Sequence, residues 1–521
     1  MSFKLTDRQI KWLLFLLPLL AYVWNLGSVP LFDVDEGAFS EATREMFVRH
    51  DFLSTWLNGA PRFDKPILIY WCQAVFVWLL GPNEWAFRMP SALAAAGWSW
   101  ATAMFVWEHA VPERARDAAI FAATIVATSL GVLFIGHAAT ADALLNLLIA
   151  LALFDSWRYL STGKSTPLLR SYLWIGLGVL TKGPIALLIP GATTLIYCLF
   201  AGRFRDWLRS VFDWKGWLIM LAVTVPWYAA ALAIHGQAFI DGFLLKHNVE
   251  RFSGSLEGHS GSMFYYVLIV PVLLLPWFSW LARTVFGARA DMADPLRRFL
   301  WIWAIFVIGF FSLSGTKLPH YALYGCTPLF VLMAFKLDGL GNSRMAGRFA
   351  AMPALLLMCL CMTLPSLLRD ALQRGWVKNP YYVLQLERLP HVDLSSYHLI
   401  SFFTFVVAML VVFVAKHEVW KRSVVVGVLC MVSITAAFTP LLGELLQGPI
   451  KRAGIAARTY KEPMVLWNFH APSFSVYRQD VTPTVQAGPG QIALTRVDRL
   501  PKDGNFEELF REGGVVLLRV K

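Results

Sequence analysis

Apolar runs separated by short polar connectors fill most of the chain. Thirteen read as membrane-spanning helices, near residues 10–28, 89–107, 117–136, 139–160, 171–182, 184–201, 215–235, 263–286, 298–314, 319–336, 349–368, 397–416 and 421–441. About twenty apolar residues in a helix cross a hydrocarbon core of about 30 Å. The run at 66–81 is too short for that and begins at Pro66, a residue suited to a first helical turn. It reads as a surface or re-entrant helix. The Lys182-Gly183-Pro184 break makes 171–201 a tight hairpin with a lysine at its outer tip.

After residue 441 the pattern changes. Residues 463–469, 491–496 and 514–520 read as short strands, and 450–460 and 506–511 as helical pieces. The expected fold is an all-α polytopic membrane protein of about 13 transmembrane helices with a small C-terminal α/β domain. The membrane domain is assigned to 1–441, with an outer loop at 29–88 that carries two interfacial helices. The α/β domain is assigned to 442–521.

Charge gives the arrangement a direction. Arginine and lysine recur in alternate connectors: Lys4, Arg8 and Lys11; Arg114 and Arg116; Arg203, Arg205 and Arg209; Arg344 and Arg348; Lys421 and Arg422. Basic loops stay cytoplasmic. The same side collects all of them only if 66–81 does not cross. The net charge of +12 therefore belongs to these loops, and no basic tract with a nucleic-acid motif accompanies it. Hydrophobic residues make up 57% of the chain and charged ones 15%, which excludes a water-soluble globule of this length. The six cysteines fall in apolar stretches without zinc-finger spacing and read as buried thiols. The first apolar run lacks a cleavage-like ending, so it reads as a retained span.

The stretch 33–66, DVDEGAFSEATREMFVRHDFLSTWLNGAPRFDKP, concentrates ionisable side chains directly behind the first span. Hydrocarbon would exact several kcal/mol per charge, so the stretch faces water at the membrane surface. Asp33 and Glu36 are spaced as a local helix cap, with Asp35 in the same turn. Glu36, Ser40 and Arg44 then share one face, and Phe39, Ala42 and Met46 form an apolar one. This predicts a helix lying along the membrane surface. Asp35 and Glu36, at the membrane exit, are candidate catalytic carboxylates.

Further candidates come from the other outer loops. Lys65, beside Asp64 and before Pro66, can hold a lipid phosphate as a point charge, or simply snorkel to the interface. His247 and Arg251 are four apart, so one helix face could present both; arginine suits phosphate, and His247 with Asp64 could ligate a metal. Lys317, His320 and Tyr321 sit between two spans. Asp142 begins a span, where it is either a cap or a site carboxylate. Together these place cations and carboxylates from separate loops on one water-facing side, as an enzyme handling a phosphate-linked lipid requires.

Taken in order, the motifs resemble the ArnT-like branch of the protein-mannosyltransferase superfamily of GT-C glycosyltransferases. They are the Asp35-Glu36 pair, Arg44-Glu45-Met46, Lys65-Pro66, the turn at Asp142, Thr181-Lys182-Gly183-Pro184, His247-Asn248-x-x-Arg251-Phe252, and Lys317-Leu318-Pro319-x-Tyr321. The resemblance implies transfer of a sugar from a polyprenyl-phosphate carrier, on the periplasmic side of a bacterial inner membrane, to lipid A or another envelope glycan or lipid. It implies Asp35 at the reaction centre and Asp142 as a further acid of the cavity. Lys65 and Arg251 would hold the carrier phosphate, with Lys317 and Tyr321 close by. Asp64 and His247 would match a metal site, with His320 a further candidate ligand. A divalent metal is thus the one cofactor implied; no organic cofactor and no nucleic acid are. Two departures are Gly37-Ala38 where the aminoarabinose transferases carry Pro-Arg, and Asp64-Lys65-Pro66-Ile67 where they carry Glu-Lys-Pro-Pro.

A polytopic transporter or lipid flippase is the alternative. It predicts ionisable residues at mid-span and paired broken helices related by a repeat, whereas here the acids cluster outside and no repeat is evident. The topology is testable: a reporter fused after Lys521 should be active only outside the cytoplasm, and cytoplasmic activity would overturn the arrangement.

Overall fold

A computed structural model of the chain describes residues 5–250, 261–341, 343–500 and 505–521, without the side chains of 244 and 247–250. Helices dominate it. The first eleven are α1 (Asp7–Val23), α2 (Asp35–Arg49), α3 (Leu68–Leu80), α4 (Glu84–His109), α5 (Ala115–Thr128), α6 (Leu130–Gly136), α7 (Asp142–Thr162), α8 (Ser165–Lys182), α9 (Ile185–Phe200), α10 (Phe204–Val211) and α11 (Trp214–His235). Thr6 and Gln9 start α1 with a reciprocal capping box. The membrane domain continues through helices such as Pro295–Leu313, Arg344–Gln373, Ser395–Phe413 and Val419–Ser433.

Each run read from the sequence as a span falls on a helix or on a helix interrupted once. Among the described residues six helical stretches are long and apolar enough to cross by themselves. The bent pair of α5, with the turn before it, and α6 makes a seventh. α3 and α9 are shorter apolar helices. α4 threads the centre, packed on α1, α5 and α7. Its buried face is rich in alanine, with Ala92, Ala94, Ala95, Ala96, Ala101 and Ala103 all covered. Small residues let helix backbones approach where hydrocarbon gives no hydrophobic drive to association. Large apolar side chains that remain exposed, such as Leu17 and Leu20 on α1 and Phe402 and Phe403 on Ser395–Phe413, meet lipid. The protein is a multi-pass membrane protein.

The C-terminal domain carries a four-stranded sheet. Its strands are β3 (Met464–Leu466), β4 (Ile492–Arg496), β5 (Phe506–Glu512) and β6 (Val515–Val520), in the order β3-β4-β6-β5. β3 and β4 are parallel and the other pairs antiparallel. The expectation of a helix at 506–511 is wrong. FEELFRE is rich in helix formers, but Gly513 (φ 55°) and Gly514 close a two-residue turn, and pairing with β6 overrides the local preference. The helices Gly448–Ala457 and Pro472–Arg478 pack together beside the sheet.

The first outer loop also departs from expectation. Between α2 and α3 it forms a hairpin of β1 (Trp56–Leu57) and β2 (Ala60–Pro61), turned at Asn58-Gly59 with both residues at positive φ. The Asn-Gly pair was its sequence signal. α2 has no solvated face: every residue from Glu36 to Met46 is buried, because α3 covers one side and Pro472–Arg478 another. Nor do Asp33 and Glu36 cap it. Val34 occupies the cap position with no side-chain hydrogen bond, and both carboxylates turn to distant partners.

Candidate active site

A cavity of about 420 Å³ opens at the mouth of the membrane domain, within the range of ligand sites. Residues 32–36, the α6–α7 junction, His320 and the helical segment from Ile434 to Leu442 line it. It therefore brings together Asp35, Glu36, Asp142 and His320, from three separate parts of the chain. Asp35 is exposed there.

Glu36 is the opposite case. Its Oε1 accepts from Arg88 Nε (2.8 Å) and the Ala139 amide (2.7 Å), and its Oε2 from Arg88 Nη2 (2.8 Å) and the Phe32 amide (2.9 Å). Arg88 spends its remaining donors on the carbonyls of Leu26, Val29 and Pro30. Both side chains are buried. The pair ties α1, α2, α4 and the α6–α7 junction into one frame, so Glu36 holds the turn in which Asp35 sits.

Asp142, at the first turn of α7, has its Oδ1 bound by Lys182 Nζ (2.5 Å) and Tyr324 OH (3.1 Å), with His320 Nε2 at 3.7 Å. Lys182 also donates to Tyr324 OH (3.0 Å) and lies 5.4 Å from the centre of the Tyr321 ring. Tyr321 thus supports this cluster through its ring. Lys317 is buried and donates to the carbonyls of Ser312 (2.8 Å) and Ser314 (3.0 Å).

Lys65, Asp64 and Arg62 form a second cluster. Asp64 contacts Lys65 Nζ at 2.5 Å and Arg62 Nη2 at 3.0 Å. Arg62 lies over the Phe39 ring (4.9 Å); burial pulls its guanidinium down, but Tyr70, then Asp64 and Asp35, hold it above its ordinary range. The cavity lining includes neither Lys65 nor Tyr321. Arg251 lies outside the described residues, and of His247 only the backbone is described. Among the described residues no three His, Cys, Asp or Glu side chains converge as a metal set. Asp64 faces two cations and His320 faces Asp142, so these two candidates do not gather as one ligand set.

Arg62, Arg88, Lys182 and Tyr324 were not singled out as site residues from the sequence. Lys182 had a signal in its Thr-Lys-Gly-Pro context, and Arg88 in its place one turn after Glu84 at the start of an apolar helix. A further omission comes from the C-terminal domain. Asp33 Oδ1 accepts from the Ser473 amide (2.9 Å) and Oδ2 from the Ser473 hydroxyl (2.5 Å). Burial pushes the Asp33 carboxyl up to about 7, opposed by the two Ser473 bonds and reinforced by the Glu36 charge.

Comparison with known proteins gives this geometry its context. Residues 64–229 match the family model of dolichyl-phosphate-mannose-protein mannosyltransferases. The undecaprenyl phosphate-alpha-4-amino-4-deoxy-L-arabinose arabinosyl transferase 1 of Proteus mirabilis is 30% identical over 350 residues, 65% of this chain and 61% of that protein. Its counterpart in Serratia proteamaculans is 29% identical over 324 residues, 60% and 57%. The chain thus matches about three fifths of the length of these curated relatives. Crystal structures of ArnT from Cupriavidus metallidurans, one bound to undecaprenyl phosphate and one in the apo state, superpose with TM-scores of 0.80 and 0.78. Each is 21% identical, with 97% of each chain covered. The chain therefore shares the fold of these structures, a helical membrane domain joined to a small α/β domain.

Two outcomes follow from the buried charges. Arg88→Met strands the Glu36 carboxylate, a change that costs about 3–5 kcal/mol at buried pairs. It should sharply lower the thermal midpoint in detergent, and adding Glu36→Gln should recover part of the loss. The second concerns pH. Because the folded protein resists ionising Asp33, this group costs stability as pH rises from the ordinary carboxyl range, about 4, to about 7. The midpoint of Asp33→Asn relative to the unmodified protein should therefore climb over that window and level off above it. A pH-independent difference would count against the shift.

Proposed function

We propose that the protein is an inverting membrane glycosyltransferase that moves a sugar from a polyprenyl-phosphate carrier to lipid A or another envelope glycolipid, at the periplasmic face of a bacterial inner membrane. The observation that carries the reading is the cavity at the membrane mouth. It gathers Asp35, Asp142 and His320, with Lys182 fixed on Asp142, in a chain similar to arabinosyl transferases named for an undecaprenyl-phosphate-linked sugar. A transporter reading gains no support from these relatives.

The chemistry follows from the bond that breaks. The anomeric C–O bond to the carrier phosphate cleaves, and its electron pair stays on the phosphate oxygen. The sugar passes through oxocarbenium character while an acceptor oxygen bonds from the opposite face, which inverts the centre. No second nucleophilic carboxylate is needed, and direct displacement calls for no organic cofactor. Asp35, exposed in the cavity, takes the proton of a hydroxyl acceptor. A phosphate acceptor is already ionised, and Asp35 then orients it or stabilises charge on the ring. Lys65 and Arg251 stabilise the leaving phosphate, and the Lys182–Tyr324–Asp142 cluster shapes the opposite wall. Lys317 and Tyr321 support that side. A divalent ion is a further proposal: at Asp64 it would have to displace Lys65 or Arg62, with His247 and His320 as its other candidate ligands. Elemental analysis of the purified protein tests it.

The decisive assay offers labelled polyprenyl-phospho-sugar and lipid A, and follows transfer and release of the carrier phosphate. Asp35→Asn should abolish turnover while the protein folds and binds carrier lipid. Lys65→Ala should lower turnover by about 10²–10³-fold, the usual effect of removing one charge-stabilising donor. Asp35→Asn that transfers at the unmodified rate would remove Asp35 from the chemistry.

A further inference from the structure

The turn that carries Asp35 is held from outside the membrane as well as from within. On the inner side Arg88 and the Ala139 amide grip Glu36. On the outer side the contacts come from one short helix of the C-terminal domain, Pro472–Arg478. Ser473 gives its amide and its hydroxyl to the two oxygens of Asp33. The Leu31 amide donates to Tyr477 OH (2.6 Å), and that hydroxyl donates to Glu84 Oε1 (3.0 Å), which Lys451 also holds (2.6 Å). Ser475 donates to Asn58 Oδ1 (3.2 Å), and Asn58 donates to Thr484 Oγ1 (3.2 Å).

The fit is close. A side chain at Gly37 would place its Cβ 2.0 Å from Asp33 Oδ1 and 2.6 Å from the Ser473 amide. A residue larger than glycine there would push the two apart. Asp33 and Leu31 flank the turn's entry, and Asp35 follows two residues after Asp33. No side-chain cap fixes the start of α2, so its position depends on these contacts and on Glu36.

We propose that the C-terminal domain is a working part of the site, with Ser473 and Tyr477 as positioning residues that set the Asp33–Glu36 turn and thereby aim the Asp35 carboxylate into the cavity. The inference rests on the functional reading above. Neither residue touches the reacting atoms. Ser473 acts through the Asp33 side chain and Tyr477 through the Leu31 amide, each some 440 positions away in sequence.

Two measurements on the full-length protein in nanodiscs test it. Hydrogen–deuterium exchange of peptides covering residues 31–37 needs no substrate. Ser473→Ala and Tyr477→Phe should each speed exchange there and leave α7 and α8 unchanged. Steady-state kinetics with labelled polyprenyl-phospho-sugar should show kcat reduced about tenfold, the size of effect expected from losing one positioning hydrogen bond. KM for the carrier should hold within about twofold, and Ser473→Thr, which keeps the hydroxyl, should restore kcat. Unchanged exchange in both variants overturns the clamp. Faster exchange with unchanged kcat, or a loss that Ser473→Thr does not restore, overturns its link to Asp35. An unmodified protein that folds but uses no such donor sinks the functional reading instead, and the exchange result still decides whether the outer domain holds the turn.

Discussion

The Glu36–Arg88 pair is the constraint on which the site depends. Both groups are buried at the rim of a membrane domain, where an unpaired charge costs several kcal/mol. The structure meets that cost by saturation. Four donors reach the carboxylate, and the guanidinium adds three backbone carbonyls from the segment leaving α1. The carbonyls of Leu26, Val29 and Pro30 and the amides of Phe32 and Ala139 would otherwise sit unsatisfied next to hydrocarbon. One ion pair therefore completes the backbone of the first outer loop and joins α4 to the α6–α7 junction.

That frame sorts the acids of the cavity. Glu36 has both oxygens committed. Asp142 is bound by a lysine and a tyrosine that also bind each other. Asp33 has both oxygens on Ser473. Asp35 is exposed to the cavity, and among the described residues no hydrogen bond to its carboxylate accompanies that exposure. A carboxylate that must accept a proton or meet an acceptor needs an uncommitted oxygen, whereas one that must hold geometry needs none. The division explains how four acids can sit close together without all being equivalent: Glu36 and Asp142 are paired with cations, and Asp33 is held by Ser473.

Much of this was legible in the sequence, for a physical reason. Hydrocarbon imposes long apolar runs, so the apolar helices stood out, and so did the charged loop that could not lie among them. The change of pattern after 441 revealed the sheet domain, because three of its strands are short, apolar and β-branched. What stayed hidden depended on partners far away along the chain. Nothing local tells that Glu36 meets Arg88, that Lys182 meets Asp142, or that Asp33 meets Ser473. α2 reads as amphipathic with a wet face because its polar side is covered by a helix more than four hundred residues later. Phe506–Glu512 reads as helix for the same reason: its strand state is decided by β6, not by its own composition.

The covered polar face of α2 also bears on why such a protein carries an outer domain at all. Glu41 and Arg44 are buried together, and Glu45 accepts from Arg49 and from the Gly59 amide in the hairpin. Burial pushes Glu41 up to about 7, against the Arg44 contact. In a bare membrane domain this face would be solvated and α2 would be tied down only by its apolar side, on α3. Closing it with Pro472–Arg478 and the β1–β2 hairpin exchanges water for fixed donors. Charge stabilisation of the kind proposed here works through groups that are already in place when the bond breaks. A site at a membrane mouth, with lipid on one side and water on the other, obtains that rigidity only if something dry and polar-bonded covers the water side.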